Sequence, residues 1–358
     1  MTESPTFERA RSFCARFGLR IPILLAPMAG ACPPSLSIAV ANGGGMGSCG
    51  ALLMKPEDIL AWAAEVWSNS NGVFQMNLWI PDPDPVRDAA QEAGVREFLG
   101  QWGPAVAASA GDERPPNFDA QCEALLASGA PIVSSVMGLY PPKFVSRLKA
   151  RGISWFAVAT TVAEARAAEA AGADAIIAQG MEAGGHRGAF DPSVAERHLI
   201  GLFALLPSVV DAVRVPVIAT GGIGDGRGVA AALALGASVA QIGTGFLRCP
   251  EAKISASWAD ALAVSAPEDT IVSRVFSGRP GRSIATRYAL AATAPGAPQP
   301  APYPVQRGLT SLMRSAGTKA NDLDRIQAWA GQACGLARAE PAAILAQKIW
   351  EEAEALLA

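Results

Sequence analysis

The chain has 358 residues, about a hundred more than the roughly 250 residues of a single parallel α/β barrel. Half of the residues are hydrophobic and 17% are charged, a composition that supports a large core and excludes disorder over most of the length. The net charge of −3 and a pI near 5.6 give no general attraction to nucleic acid or to an anionic membrane, so we expect neither as a partner.

The six cysteines are scattered and form no C-x-x-C pair, which is typical of reduced packing residues. The first residues lack a basic start followed by an apolar signal core. No stretch of about 18 uncharged apolar residues occurs. We therefore expect a cytoplasmic protein.

Short apolar runs that end in glycine or a small polar residue alternate with alanine-rich stretches of helical period. This alternation is typical of βα units around a parallel sheet. Because there are eight such runs, we predict an α/β fold of the closed (β/α)8 TIM-barrel type rather than an open sheet. The predicted strands are Ile21–Met28, Gly45–Gly50, Val73–Trp79, Pro131–Met137, Trp155–Thr160, Ala175–Gly180, Val215–Gly221 and Val239–Thr244.

Two of the predicted helices have start and stop signals at both ends. One begins at Thr161, a capping residue with Glu164 three positions on, and ends before Gly172. The other runs from Asp225 through Leu235. Each leads into the next strand through a short glycine turn.

The surplus length falls in two segments. A proline-rich start opens a long connection, residues 81–129, between the third and fourth predicted strands. A mainly helical segment, residues 249–329, follows the eighth. The stretch Ile326–Leu357 is predicted as helix, broken near residues 335 and 341. We therefore expect a barrel in 1–248, a helical lid or substrate segment in 249–329, and C-terminal helices in 330–358 that pack back on the barrel.

Active sites of such barrels lie at the carboxyl ends of the strands, and the loop after the sixth predicted strand contains His186. A loop histidine there is a candidate general base, although helix capping or a bond to a carbonyl would also explain it. Glu182 is a candidate to orient it, with an exposed carboxylate as the alternative. His198, in a helix-like stretch, is predicted to be a surface or packing residue. No ligand-like spacing accompanies His186, so we expect no metal.

Glycine-rich turns at 220–226 and 241–245 follow the seventh and eighth predicted strands, where barrels of this type often bind phosphate. Ordinary tight turns would also use these glycines. The small apolar residues 26–30, with an amide at Asn77 or Gln179, would suit a flat cofactor with a phosphate tail. FMN matches this description, whereas a nicotinamide dinucleotide fits less well because no strand–GxGxxG–helix unit is present.

The chain resembles the nitronate monooxygenase family, formerly called 2-nitropropane dioxygenases. The resemblance rests on APMAG, NGGGMGS, FQMNLW, QGMEAGGHRG, ATGGIGDGRG, QIGTGFLRCPEA and the late QAWAGQACGLAR stretch, in matching order. It implies an FMN-dependent oxidoreductase that converts alkyl nitronates and O₂ into a carbonyl compound and nitrite, with His186 as the catalytic residue. The flavin contacts that it implies are Ala26, Pro27, Met28, Asn77, Gln179, Gly184, Gly221, Gly222, Gln241, Ile242, Gly243 and Thr244.

Departures from the family concern the expected substrate pocket more than the flavin site. Family members that act on propionate 3-nitronate tend to have a tyrosine-and-lysine pattern in the late segment. This chain keeps Tyr303 but has Arg307 where a second tyrosine is expected, and its fourth predicted strand lacks the histidine of some relatives.

Two other functions stay open at the sequence level. One is an NAD(P)H-dependent FMN reductase similar to the enoyl-acyl-carrier-protein or quinone reductases, and the other is a flavin carrier without activity. The expected partners are a small nitronate substrate and O₂. The sequence leaves open whether the chain is a monomer or a homodimer.

Overall fold

The computed structural model describes residues 5–70 and 72–358. Every predicted barrel strand is present, and most are shorter than predicted at one or both ends. The strands in chain order are β1 (Ile23–Leu25), β2 (Gly47–Gly50), β3 (Phe74–Trp79), β4 (Ile132–Val136), β5 (Ser154–Ala159), β6 (Ala175–Gln179), β7 (Gly185–His186), β8 (Val217–Thr220), β9 (Val239–Ile242), β10 (Thr270–Ser273) and β11 (Gly281–Ile284).

Eight of these strands form one parallel sheet in the order β1-β9-β8-β6-β5-β4-β3-β2. Its two edge strands meet at Leu24 and Met46, which form a parallel bridge, and the Leu25 amide donates to the Met46 carbonyl at 2.9 Å. The predicted (β/α)8 barrel is therefore confirmed.

Helices alternate with the barrel strands and cover the outside of the sheet. Their apolar faces and the outward side chains of the strands form the largest core. The helices are α1 (Pro5–Phe17), α2 (Pro34–Asn42), α3 (Pro56–Asn69), α4 (Ala89–Leu99), α5 (Phe118–Ala127), α6 (Pro142–Ala150), α7 (Val162–Ala170), α8 (Leu202–Val210), α9 (Gly226–Ala234), α10 (Ala256–Val264), α11 (Arg287–Thr293), α12 (Val305–Leu309), α13 (Ser311–Lys319) and α14 (Ala342–Leu357).

A second core fills the barrel interior and includes α1. The rings of Phe13 and Phe17 lie 6.0 and 5.2 Å from the ring of Phe156, an inward residue of β5. Aromatic side chains thus pack inside the barrel, and the carboxyl ends of the strands lead to the cavity described below.

The two helices with clear capping signals begin where the sequence predicts. Thr161 accepts from the Glu164 amide at 3.2 Å, and Asp225 accepts from the amides of Arg227 and Gly228 at 3.1 and 3.3 Å. The Glu164 carboxylate bonds Thr160 rather than Thr161, so the return half of a capping box is displaced by one residue.

Asp225→Ala is expected to lower the free energy of unfolding by about 1–2 kcal/mol, because two amides at the start of α9 lose their acceptor. Urea unfolding measures this difference. Asp225→Asn keeps a capping oxygen and is the matched control, expected to lose less stability than the alanine variant. Equal stability of wild type and Asp225→Ala would contradict the capping role.

A small third core lies above the barrel and joins both surplus segments. Val95 and Leu99 of α4 pack with Phe276, Tyr288 and other buried residues of the 249–329 segment. The two long connections therefore form one cap over the strand ends. The predicted domain boundaries after residues 248 and 329 stay predictions. Helix α4 precedes the first of them but packs in the same core as the 249–329 segment.

The cap also contains a sheet that the sequence does not reveal. Strands β10 and β11 form an antiparallel hairpin inside the segment predicted as mainly helical, and β11 pairs with β7, where Gly281 opposes His186. A two-residue strand has no periodicity, and its partner lies about a hundred residues away along the chain, so local sequence signals do not reach it.

Residues 326–341 are not helical, contrary to the prediction for Ile326–Leu357, apart from a short 3-10 turn at Cys334–Leu336. The helix proper, α14, packs against α9 and α2 on the barrel wall. Within residues 5–70 and 72–358, no helix combines the length and apolarity that crossing a bilayer requires.

Candidate active site

A cavity of about 470 Å³ lies at the carboxyl ends of the barrel strands, under the cap. Its wall combines the ends of the barrel strands with cap residues such as Arg307, Arg314 and Trp329. The predicted site residues that line it are Ala26, Pro27, Met28, Asn77, Gln179, Gly184, His186, Gly221, Gly222, Gln241, Gly243 and Thr244.

Ile242 is the predicted site residue whose side chain lies elsewhere. It is 1% exposed and belongs to the core between strands and helices, and its carbonyl accepts from the Ala26 amide at 2.9 Å. Its neighbours along the chain face the cavity because successive strand residues point to opposite sides.

Backbone conformation shapes two parts of the cavity wall. Gly221 and Gly222 have φ values of +109° and +70°, a region that other residues rarely adopt. Among the described residues, the amides of Gly222 and Thr244 donate to no protein acceptor. These two turns therefore have donors free for a ligand, which is what binding of a phosphate requires.

The loop that carries His186 is held by the side chain of Gln179, the last residue of β6. The Gln179 Nε2 donates to the His186 carbonyl at 3.1 Å, and its Oε1 accepts from the Gly188 amide at 2.7 Å. The Gln179 amide thus orders the histidine loop as well as facing the cavity. Asn77 is held in a similar way, since its Nδ2 donates to Ser134 Oγ at 3.0 Å.

Three side chains fix the imidazole of His186. The rings of Trp79 and Trp329 each lie 4.7 Å from it in edge contacts, and Ser277 Oγ lies 2.7 Å from its Nε2. Sequence reasoning missed Ser277, which has no local signal, and gave no role to Trp329 although it lies in the QAWAGQACGLAR stretch. Trp79 could have been found, since it follows Asn77 by two residues on the same strand.

Glu182 does not contact His186, so its predicted orienting role is wrong. Its two carboxylate oxygens accept from the Leu202 amide at 2.9 and 3.0 Å. Leu202 is the first residue of α8, where amides without an intrahelical acceptor favour a carboxylate. His198 is exposed, as predicted for a surface residue, but lies directly after a turn rather than in a helix.

The cavity is strongly cationic for a chain with a net negative charge. Its described lining includes Lys253, Arg307 and Arg314 and no carboxylate. Within the described part of the chain Arg314 bonds only neutral oxygens, among them the Arg307 carbonyl at 2.9 Å. Burial together with the charge of Arg307 lowers its pKa to about 10. The Arg307 guanidinium has no hydrogen-bond partner among the described residues. An anionic ligand would satisfy this pair.

Burial, and then the nearby charges of Arg279, Arg307 and Arg314, lower the pKa of His186 from 6.5 to about 3. The imidazole is therefore neutral at physiological pH. The described residues contain no group of three or more His, Cys, Asp or Glu side chains that could hold a metal ion.

This pKa shift predicts an acid-sensitive fold. The pKa of His186 is lower in the folded than in the unfolded chain, so only the unfolded chain binds this proton between pH 6.5 and about 3. The contribution of the neutral imidazole to the free energy of unfolding is fully present above pH 6.5. It is lost as the pH falls toward 3, by up to about 1.4 kcal/mol per pH unit. We expect the stability of the wild type to fall more steeply than that of His186→Asn between pH 6 and 4.

Urea unfolding at several pH values measures this difference. His198→Asn is the matched control, because His198 is exposed and the variant should follow the wild type. Parallel pH profiles for the wild type and His186→Asn would contradict the shifted pKa.

Comparison with known proteins places the chain among enzymes. A profile described as nitronate monooxygenase matches residues 12–352. A nitronate monooxygenase of Paraburkholderia phytofirmans is 37% identical over 96% of this chain and 94% of its own length, and one of Pseudomonas aeruginosa is 37% identical over 95% and 98%. The solved structure of a nitroalkane oxidase from Streptomyces ansochromogenes is similar with a TM-score of 0.86 and 35% identity, covering 97% of this chain and all of that one. FabK from Thermotoga maritima is similar with a TM-score of 0.75 and 27% identity over 97% and 96%.

Proposed function

The chain belongs to the nitronate monooxygenase family of oxidoreductases, and we propose that it oxidises nitronates with O₂ in an FMN-dependent reaction that yields a carbonyl compound and nitrite. The observation that carries this proposal is the cavity at the strand ends, which joins His186, two turns with free amides and a cationic wall whose described residues include no carboxylate.

The residues present fit FMN. The free amides of Gly222 and Thr244 suit its phosphate, and Ala26, Pro27 and Met28 give the cavity an apolar wall. At Gly184 the backbone of the cavity wall lies close to the backbone of Gly331, because a Cβ at this position would lie 2.5 Å from the Gly331 nitrogen. We propose that the cavity-lining residues of the predicted flavin set hold FMN, with Ile242 contributing only through its backbone.

Bound FMN would supply the redox chemistry that links oxidation of the nitronate to reduction of O₂. The chain's own residues attract the substrate, orient it and remove its proton. Arg307 and Arg314 attract the anionic substrate, and the rings of Trp79 and Trp329 confine the space beside His186.

The state of His186 favours one of its two conceivable roles. Because its imidazole is neutral, it can accept the α-proton of a nitroalkane, whereas holding nitronate oxygens as an imidazolium requires a protonated ring. The guanidinium groups take over the anion-holding role. A nitronate, which has already lost the α-proton, needs less from His186 than a nitroalkane does.

The test combines substrate, oxidant and cosubstrate. Flavin released from the purified protein is identified by chromatography, and O₂ uptake and nitrite release are followed with propionate 3-nitronate and ethyl nitronate, with and without NADPH. We expect released FMN, nitrite formation and O₂ uptake that do not depend on NADPH. Absence of nitrite and O₂ uptake with both nitronates would overturn the proposal.

The second candidate, an NAD(P)H-dependent FMN reductase, is favoured by the structural similarity to FabK and by Lys253 on the cavity wall. Anaerobic mixing with NADPH separates the two functions. We expect the flavin absorbance to persist over the time of a catalytic turnover. Rapid bleaching would support the reductase instead.

A further inference from the structure

Ser277 touches the imidazole of His186 from the cap side. It lies in the turn between β10 and β11, is 1% exposed, and its Oγ is 2.7 Å from His186 Nε2. The pairing of Gly281 with His186 between β11 and β7 fixes this approach. The contact therefore joins the cap to the barrel at the proposed reacting group.

The hydroxyl of Ser277 has two further partners, both on the backbone of Arg279. Ser277 Oγ lies 3.2 Å from the Arg279 carbonyl, to which it can donate, and 3.3 Å from the Arg279 amide, from which it accepts. A serine hydroxyl has one proton and two lone pairs. Its single proton can serve the Arg279 carbonyl or His186 Nε2, but not both.

The two arrangements differ in how many groups are satisfied. If Ser277 donates to the Arg279 carbonyl, its oxygen accepts from both the Arg279 amide and a proton on His186 Nε2, and every group has a partner. If Ser277 donates to Nε2, the carbonyl loses this bond in a buried place. A buried acceptor without a donor costs about 1–3 kcal/mol, so the first arrangement wins.

The free nitrogen of the ring leads to the same assignment. His186 Nδ1 has no hydrogen-bond partner among the described residues, and it is not among the enclosed polar atoms that lack one. It is therefore open to the cavity. A proton acceptor must be a bare nitrogen that the substrate can reach, and in the first arrangement Nδ1 is that nitrogen.

We propose that Ser277 is a positioning residue that accepts a hydrogen bond from His186 Nε2 and thereby keeps Nδ1 as the proton-accepting atom. This inference rests on the proposed function for its consequence, proton removal from a nitroalkane. The tautomer itself is a property of the folded holoenzyme that is measured without turnover.

The experiment uses nitrogen NMR of the holoenzyme labelled with ¹⁵N-histidine, which is simple because the chain has two histidines. His198→Gln assigns the signals of His186. We expect a protonated Nε2 and a bare Nδ1 in the wild type at neutral pH. A proton on Nδ1 and a bare Nε2 would overturn the proposal, and this outcome does not depend on activity.

Ser277→Ala then separates positioning from packing. We expect its His186 signals to move toward a mixture of tautomers and kcat with a nitroalkane to fall about tenfold at nearly constant KM, whereas Ser277→Thr retains the hydroxyl and the wild-type tautomer. An unchanged tautomer in Ser277→Ala would contradict the role of Ser277. If the wild type forms no nitrite, the proposed function is rejected but the tautomer result still stands.

Discussion

His186→Asn is expected to lower the turnover of a neutral nitroalkane by about 10²–10⁴-fold, because asparagine cannot accept the α-proton. The variant should retain FMN, since no flavin-binding contact is proposed for the imidazole. With a nitronate as substrate the loss should be much smaller, because the proton has already left. Steady-state O₂ uptake with nitroethane and with ethyl nitronate measures both effects on the same preparation.

The comparison of the two substrates makes this prediction specific. His198→Asn removes the other histidine, which is exposed and is not among the described residues that line the cavity, and it should behave as the wild type with both substrates. Unchanged nitroethane turnover in His186→Asn would exclude His186 as the proton acceptor. An equal loss with both substrates would mean that the ring holds the nitronate rather than removes a proton.

The barrel could be predicted because its signals are local. Most barrel strands are buried apolar runs, and helices such as α7 and α9 have capping residues at their starts. Boundaries were less certain, since the first predicted strand spans eight residues and β1 has three. Beyond β1 the Ala26 amide still donates to the Ile242 carbonyl, but Pro27 has no amide proton with which to extend the ladder.

The floor of the cavity could also be predicted, because strand ends converge in a barrel wherever they lie in the sequence. The cap could not. Ser277, Arg314 and Trp329 reach His186 or the cavity through β11 and the cap core, which are set by contacts between distant segments. Glu182 illustrates the opposite error, because closeness in sequence to His186 suggested a contact that the α8 terminus prevents.

Arg307→Ala is expected to lower kcat/KM for propionate 3-nitronate by about 10–100-fold and to change that for ethyl nitronate much less. Propionate 3-nitronate carries a carboxylate as well as the nitronate, and a hydrogen bond to a charged group contributes about 1.5–3 kcal/mol. The Arg307 guanidinium has no protein partner to lose among the described residues, so its removal should leave the fold intact.

Three controls separate a direct contact from a general field. Lys253→Ala removes another cation of the cavity wall. It should lower kcat/KM equally for both substrates, and added salt should suppress this effect. Arg307→Lys keeps the charge but not the planar fork, so it should recover part of the selectivity. Arg314→Ala should lose stability as well, because its side chain also bonds Thr310, Gln327 and the Arg307 carbonyl. Equal losses of kcat/KM for both nitronates in Arg307→Ala would show that Arg307 attracts anions in general and does not recognise the carboxylate of propionate 3-nitronate. The choice of substrate would then depend on other residues of the cap.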